Sequence, residues 1–428
     1  MKSKYAFHLG RVFTLSLAEL FSVFEIMKLN FRIVDLYREV LVIETESPLN
    51  VTGLQRRLGG TVKIMQIMDS AGRKKTEGPA QVFRDYFDSK LIREKYLAKT
   101  TGKIQLGISL YTLSKEFLYR SEPKHLGLSL KKVLTAGGMS VRVVLPQEGA
   151  MALPSVVVGS EHLLEKGAEL DFLLGSERIY LGKTLAIQDF EDYGRRDYQR
   201  PARDFRVGML PPKVAQIMIN LAQLDPKAAG DLKRAVLDPF VGAGTEIQEA
   251  MIMGFKGVGS DASEKAILGA DKNLQWIKNR YRLPQGRFEL LVSDAQDLAD
   301  NLPKIRYEAI VTEGTLGPAY TEPPSEEQAE KNFKDLEKIY LSAFKSFKKI
   351  IKPETRIVIA LPAYRRERAY KFMPAIDKIV KLGYTLIDPL PQILLEKYDF
   401  LQVTPRKSII YDRKDQFVSR EIFIFTNN

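Results

Sequence analysis

Residues 235–250 read AVLDPFVGAGTEIQEA, and they gather the residue types best suited to holding a small charged ligand. A short apolar run, Ala235-Val236-Leu237, ends in Asp238-Pro239-Phe240, and Gly242-Ala243-Gly244-Thr245 follows directly. Pro239 forbids a continuing central strand, and the paired glycines let backbone approach a ligand where Cβ atoms would clash. Beyond Thr245 the pattern turns helical, with Ile247, Ala250 and Met251 on one face. Strand, glycine turn and helix N-terminus together make the place where an open α/β sheet holds a nucleotide-like ligand. Ile247 occupies the position where a dinucleotide fingerprint needs its third glycine, and Gly244 is followed by Thr245-Glu246 rather than the Lys-Ser/Thr of a phosphate loop. An acid directly before the turn opposes a pyrophosphate but suits a cationic amino-acid ligand. Asp261-Ala262 ends a second strand-like run from Gly257, placed to accept ribose hydroxyls. Ser293-Asp294-Ala295 ends a third run, 288–292, and suits an adenine amino group.

Acids at three successive strand ends resemble the S-adenosylmethionine site of a class I methyltransferase. A GxG pair alone would mark only a tight turn; the acids in register carry the cofactor expectation. Pro239, Phe240, Gly242, Gly244, Thr245, Ala262 and Ala295 are expected to surround that cofactor with Asp238, Asp261 and Asp294.

The rest of the chain must position this turn. At 428 residues it has length for two or three domains, and 45% hydrophobic with 28% charged residues is ordinarily globular. The net charge of +12 predicts a polyanionic partner, nucleic acid before membrane. The absence of cysteine excludes disulfides, thiolate zinc sites and a thiol nucleophile. His8, His125 and His162 are too scattered to suggest a metal cluster, so no metal is expected. No apolar run reaches eighteen residues and Arg11 and Glu19 interrupt any signal-peptide core, which predicts a cytoplasmic protein.

In chain order, residues 4–9 alternate as a strand, and Ser16 with Glu19 reads as a capping box opening a helix. Strands at 31–37 and 40–44, a short helix at 54–58 and a strand at 62–65 complete a β-α-β-β-α-β, ferredoxin-like order over 1–67. Residues 68–100 read as a charged linker with a helix at 79–96. A strand from Ile104, helices at 129–135 and 154–164, and strands at 141–145, 169–174 and 178–182 follow, with 183–189 closing the domain.

Ser140-Val141-Arg142, Tyr180-Leu181-Gly182-Lys183-Thr184 and Gln188-Asp189 resemble a THUMP domain, an RNA-binding module, over 101–190. The next stretch, RRDYQRPARD from Arg195 and GMLPPKVAQIMIN from Gly208, resembles the joint between THUMP and catalytic domains in tRNA guanine-N2 methyltransferases acting at position 10. That resemblance extends over nearly the whole chain. It implies a basic joint at 191–212, a Rossmann-like methyltransferase domain at 213–428, tRNA as partner, and Pro211 beside the methionine end of the cofactor. By residue type alone, Arg195, Arg196, Arg200 and Arg203, interleaved with Tyr198, suit phosphates and exposed bases. The same arginines with Asp197 and Asp204 also fit an interdomain seam, and both readings stand. Arg142 is a further candidate for RNA contact.

Methylating an exocyclic amine is difficult because the nitrogen lone pair is delocalised into the base. The resembled enzymes place Asp or Asn, two prolines and an aromatic after the fourth strand, so that the acid and a backbone carbonyl accept the amine hydrogens. Here the fourth strand, 308–312, runs into Glu313-Gly314-Thr315-Leu316, with Gly317 in the matching place. Glu313 is therefore the expected catalytic acceptor, one methylene longer than aspartate, and neither proline nor the stacking aromatic is present. Two functions follow: an amino-directed RNA methyltransferase with a re-formed clamp, or a protein that binds tRNA and cofactor without methylating. A DNA amino-methyltransferase is a third reading, opposed by the THUMP-like half. Beyond the site, Ser325 with Gln328 predicts a capping box, 355–361 a fifth strand ended by Pro362, 363–382 a helix, and 408–411 with 420–425 an edge hairpin.

Overall fold

The computed structural model describes residues 2–72, 103–113, 122–175, 177–203, 209–318, 320, 322–367, 369–413 and 416–427. The chain forms two compact units: Met1–Phe13, Leu29–Arg57 and Thr61–Phe190 in the first, and Thr14–Lys28, Leu58–Gly60 and Glu191–Asn428 in the second. The expected helix at 79–96 and Asp204 lie outside the described residues.

In the first unit, β1 (Ser3–Leu9), β2 (Phe31–Tyr37), β3 (Val40–Thr45), β4 (Thr61–Gly72), β5 (Ile104–Thr112), β6 (Val141–Val144), β7 (Gly167–Leu174) and β8 (Arg178–Ile187) form one sheet. Its order is β2-β3-β1-β4-β8-β7-β5-β6, so strands from 1–67 and from 101–190 share a single hydrogen-bonded ladder. Two expected boundaries move for that reason. β4 runs on past residue 67 to pair Gly72 with Arg178, and residues 183–187, read as closing the domain, continue β8 against Lys63–Gln66. The helix expected at 154–164 is two short ones, Ser155–Ser160 and Leu163–Lys166, because His162 between them adopts a left-handed φ of 51°. The helix expected at 129–135 begins earlier, as Glu122–Ala136.

The second unit carries β9 (Arg234–Asp238), β10 (Lys256–Asp261), β11 (Phe288–Val292), β12 (Arg306–Glu313), β13 (Arg356–Arg365), β14 (Tyr370–Phe372), β15 (Tyr384–Leu386), β16 (Ile409–Tyr411) and β17 (Val418–Asn427). The order is β11-β10-β9-β12-β13-β17-β15, with β14 on β13 and β16 on β17. β9 to β13 are parallel, and β17 is antiparallel to β13. Apolar β9 and β12 are buried on both faces, as parallel strands covered by helices must be. The long helix Glu326–Ile350 opens with the expected Ser325–Gln328 capping box and lays Phe333, Leu336, Tyr340, Phe344 and Phe347 into the core.

Three elements differ from expectation. Ser16 and Glu19 lie inside the helix Phe13–Ile26 rather than capping it. Glu19 is buried there and accepts from the N–H groups of Gly59 (2.8 Å) and Gly60 (2.7 Å) and from the Asn220 amide (2.7 Å). β13 does not stop at Pro362. Ala360 turns its carbonyl toward Gly314 at the end of β12, and Pro362, two residues on, faces the same side beyond that end. Its missing N–H therefore breaks no ladder bond, and Pro362–Tyr364 go on pairing with Val418–Arg420. The helix expected over 363–382 shrinks to Ile376–Lys381, the preceding residues being taken by β13 and β14.

Candidate active site

β9, β10, β11 and β12 end on one edge of the sheet, and β9 and β12 flank the switch in strand order where such sheets bind ligands. A cleft of about 580 Å³ opens there. Pro239, Phe240, Gly242, Asp261, Ala262, Asp294 and Ala295 line one part of it, and Glu313 to Leu316 another. Seven of the eleven expected cofactor residues and the expected catalytic residue thus meet in one concavity.

The glycine turn has the local geometry its sequence demands. Gly244 is left-handed (φ 83°) at the N-cap of Thr245–Ile252, a conformation in which a side-chain-bearing residue would be strained. Asp261 accepts from the N–H groups of Gly242 (3.1 Å) and Ser263 (2.9 Å), which ties the end of β10 to the turn. Asp294 is exposed and accepts from Gln296 N–H at 3.0 Å.

Asp238, Gly244, Thr245 and Pro211 are not among the residues lining the cleft. Asp238 is fully buried at the end of β9, accepting from the Thr312 hydroxyl (2.6 Å) and Phe240 N–H (3.2 Å). Burial pushes its carboxyl up to about 7, against the pull of those two hydrogen bonds, and the charges of Asp261 and Glu313 add to the rise. Its Oδ2 is buried with no hydrogen-bond partner. Thr245 is buried behind the turn, and Pro211 is buried where the helix Pro212–Leu221 begins.

Glu313 ends β12 with a side chain 16% exposed, and its carboxylate pairs with Arg420 of β17, whose side chain is 2% exposed. Arg420 also donates to Gln416 at 3.0 Å. Burial raises the Glu313 carboxyl, while the charge and hydrogen bond of Arg420 lower it. The Glu313 N–H donates to Glu246 at 2.6 Å, and Glu246 is itself buried, its carboxyl raised first by desolvation and then by Asp238 and Glu313. The Tyr340 hydroxyl donates to the Thr315 carbonyl at 2.6 Å. A Cβ on Gly314 would lie 2.4 Å from that hydroxyl, so the turn needs glycine there. Arg420, Glu246 and Tyr340 were not singled out in the sequence. The available signal was weak: Arg420 and Glu421 directly precede the apolar run Ile422-Phe423-Ile424, and Glu246 is an acid in the first turn of the helix that follows the glycine turn.

The arginine-rich joint divides. Arg196 is buried, pairing with Glu249, 3.2 Å from Asp192 and 4.2 Å from the centre of the Tyr193 ring. Arg200 is buried, donating to the Thr245 hydroxyl (2.7 Å) and pairing with Asp197 (3.3 Å). Both are buried among partners of the second unit and present no guanidinium to a phosphate. Arg195 is 31% exposed beside Glu191 and Asp192, and Arg203 lies over the exposed Tyr198 ring at 5.4 Å. Arg142 is exposed and bidentate to Glu161 at 2.5 and 3.0 Å.

Strand order 3-2-1-4-5 with an antiparallel strand inserted at the far edge, and a cleft at the carboxyl ends, define a Rossmann-like methyltransferase fold. No family model matches the chain. It is 30% identical over 197 residues to a tRNA (guanine(10)-N2)-dimethyltransferase of Pyrococcus abyssi, covering 44% of this chain and 50% of that protein. It is 32% identical over 146 residues to the enzyme of the same name from Methanothermobacter thermautotrophicus, covering 34% and 38%. The chain thus spans half or less of these relatives, a narrower match than the expected resemblance over nearly the whole chain. Among solved structures, TrmN from Thermus thermophilus superposes with a TM-score of 0.56 at 14% identity, covering 99% of this chain and 100% of its own. A possible methylase from Clostridium difficile 630 gives 0.52 at 12%, covering 100% and 98%. At such identities these likenesses speak for the fold alone. Among the described residues no helix is long and apolar enough to cross a membrane.

Proposed function

We propose that the protein is an S-adenosylmethionine-dependent RNA methyltransferase whose target is the exocyclic N2 amine of a guanosine in tRNA. The observation that carries this reading is the convergence of Asp261, Asp294 and Glu313 on one cleft beside the glycine turn. The residues present suit the cofactor: acids for ribose and adenine donors, and a buried, partnerless Asp238 oxygen at the end of β9. When bound, the cofactor supplies a methyl group on a sulfonium. Asp261 accepts from its ribose and Asp294 from its adenine amine. Glu313 accepts a hydrogen of the target amine, localising the nitrogen lone pair, while Arg420 fixes the carboxylate and favours its charged form against the opposing effect of burial. The activity for which the two relatives are named supports guanine N2 and tRNA as substrate. The THUMP-like reading of 101–190 supports RNA over DNA.

A second reading is favoured by the same loop. The Glu313 carboxylate is engaged by Arg420 and the Thr315 carbonyl by Tyr340, so part of an amine clamp is already occupied by protein donors. On that reading the protein binds tRNA and cofactor without methylating. Mass spectrometry of tRNA nucleosides after incubation of unmodified tRNA with protein and labelled cofactor decides. Labelled N2-methylguanosine supports the enzyme; binding of both ligands with no labelled nucleoside supports the binding protein.

A further inference from the structure

The turn that carries Gly242 and Gly244 is fastened from behind by the arginine-rich segment, through atoms that do not line the cleft. Asn273, 1% exposed on the helix Glu264–Arg280, accepts from Ala202 N–H at 2.8 Å. Its amide nitrogen donates to the Ala202 carbonyl at 2.9 Å and to the Ala243 carbonyl at 3.0 Å. One side chain thus satisfies both backbone groups of Ala202 and one carbonyl inside the turn, using its acceptor and both donors. Arg200, two residues earlier in the segment, donates to the Thr245 hydroxyl at 2.7 Å, on the far side of Gly244. Ala243 and Thr245 bracket Gly244, so the segment grips the turn on both flanks of its left-handed residue. Farther along the same helix Thr245–Ile252, the buried Arg196–Glu249 pair and a hydrogen bond donated by the Gln248 amide to the Arg196 carbonyl at 3.5 Å extend the attachment.

We propose that Asn273 and Arg200 are positioning residues for the cofactor site: they bind the 196–202 segment to Ala243 and Thr245 and so set the shape, and the ligand affinity, of the glycine turn. The proposal rests on the cofactor reading above. An isolated glycine-rich turn has the largest conformational freedom to lose on ordering, and fixing its flanks beforehand removes that cost from binding. Neither residue touches the cleft, so their effect passes through the turn. The arginines of this segment accordingly divide by task, with Arg200 holding the turn, Arg196 the helix that follows it, and Arg195 and Arg203 partly exposed.

The test uses the full chain with S-adenosylhomocysteine as probe. Calorimetry on wild type, Asn273→Ala, Arg200→Ala and Arg200→Lys is paired with amide hydrogen exchange of residues 242–245. Asn273→Ala and Arg200→Ala should each weaken binding about tenfold and accelerate exchange in the turn, with cooperative unfolding retained. Arg200→Lys, which keeps one donor, should recover part of the affinity. Unchanged affinity and unchanged turn exchange in folded Asn273→Ala overturn the proposal. If Asn273→Ala or Arg200→Ala does not fold, Arg200→Lys decides by the same two measurements. If wild type binds no probe, the cofactor reading fails and the affinity claim falls with it. The exchange data then decide separately whether the segment fastens the turn.

Discussion

At the scale of single residues, the loop after β12 is held by specific contacts to neighbouring elements. Arg420 and Glu246 hold the carboxylate and the N–H of Glu313 respectively. Glu313→Ala should abolish methylation of unmodified tRNA and leave S-adenosylhomocysteine affinity within about threefold, while Glu313→Gln, which keeps an acceptor oxygen, should retain part of the activity; nucleoside mass spectrometry and calorimetry check both. Gly314 has no room for a side chain, because Tyr340 stands where the Cβ would go. Gly314→Ala should cost about 1–3 kcal/mol by overpacking, read as a lower urea midpoint at constant slope. Asp238 supplies the pH dependence. Its folded carboxyl titrates at about 7, above its unfolded value, so the native state keeps a proton that the unfolded state loses first. Stability from this group is full below about pH 4 and is lost as pH rises toward about 7. Asp238→Asn should flatten that part of the stability curve, measured by denaturation from pH 4 to 8.

At the scale of elements, the parallel core was legible because parallel strands buried on both faces are written as short apolar runs ended by an acid or glycine. The strand end at Asp238 could be placed from that pattern; glycine-rich β10 and half-buried β11 were placed instead by the acids at or just past their ends, Asp261 and Asp294, and the long helix after Ser325 by its capping box and aromatic stripe, which are local signals. What misled was local pattern under tertiary control. Ser16–Glu19 has the spacing of a cap, yet the helix starts at Phe13 and Glu19 is spent on Gly59, Gly60 and Asn220. Pro362 has the look of a strand end, yet a proline costs nothing where the neighbouring strand has already stopped. The site's own partners were invisible for a related reason: Arg420 is 107 residues from Glu313 along the chain, and only the antiparallel insertion of β17 beside β13 brings them together. That insertion makes a prediction. Arg420→Met leaves the partly buried Glu313 carboxylate without its cation, and breaking a buried pair from one side costs about 3–5 kcal/mol. Glu313 escapes by taking a proton, so the loss should be smaller at pH 5 than at pH 8. A penalty independent of pH would mean that Arg420 contributes packing rather than charge.

At the scale of the whole molecule, the net charge of +12 is an argument about partners, and burial decides which cations can act on them. Arg196 and Arg200 looked equal to Arg195 and Arg203 in sequence, because a guanidinium spaced for phosphates is also spaced for buried carboxylates. Burial separates them: removing Arg196 strands Glu249, which is 0% exposed, whereas Arg195 sits in surface pairs of the kind worth about 0–1 kcal/mol. Arg195→Ala and Arg203→Ala should therefore leave the unfolding midpoint unchanged. If they meet the RNA backbone, each should weaken tRNA binding at every sequence alike and lower the slope of log affinity against log salt by about one. Arg142→Ala belongs with them, since its Glu161 partner is exposed enough to be exchanged for a phosphate. Arg196→Ala should instead lower stability by several kcal/mol, on the order of 3–5, and leave the salt slope of the remaining folded protein as it was. Filter binding of tRNA from 50 to 300 mM salt, set beside urea unfolding of the same variants, measures both quantities. A reduced salt slope for Arg196→Ala with full stability would return that arginine to the RNA surface. Unchanged slopes for Arg142, Arg195 and Arg203 variants would mean that the polyanion is engaged by other cations of this basic chain.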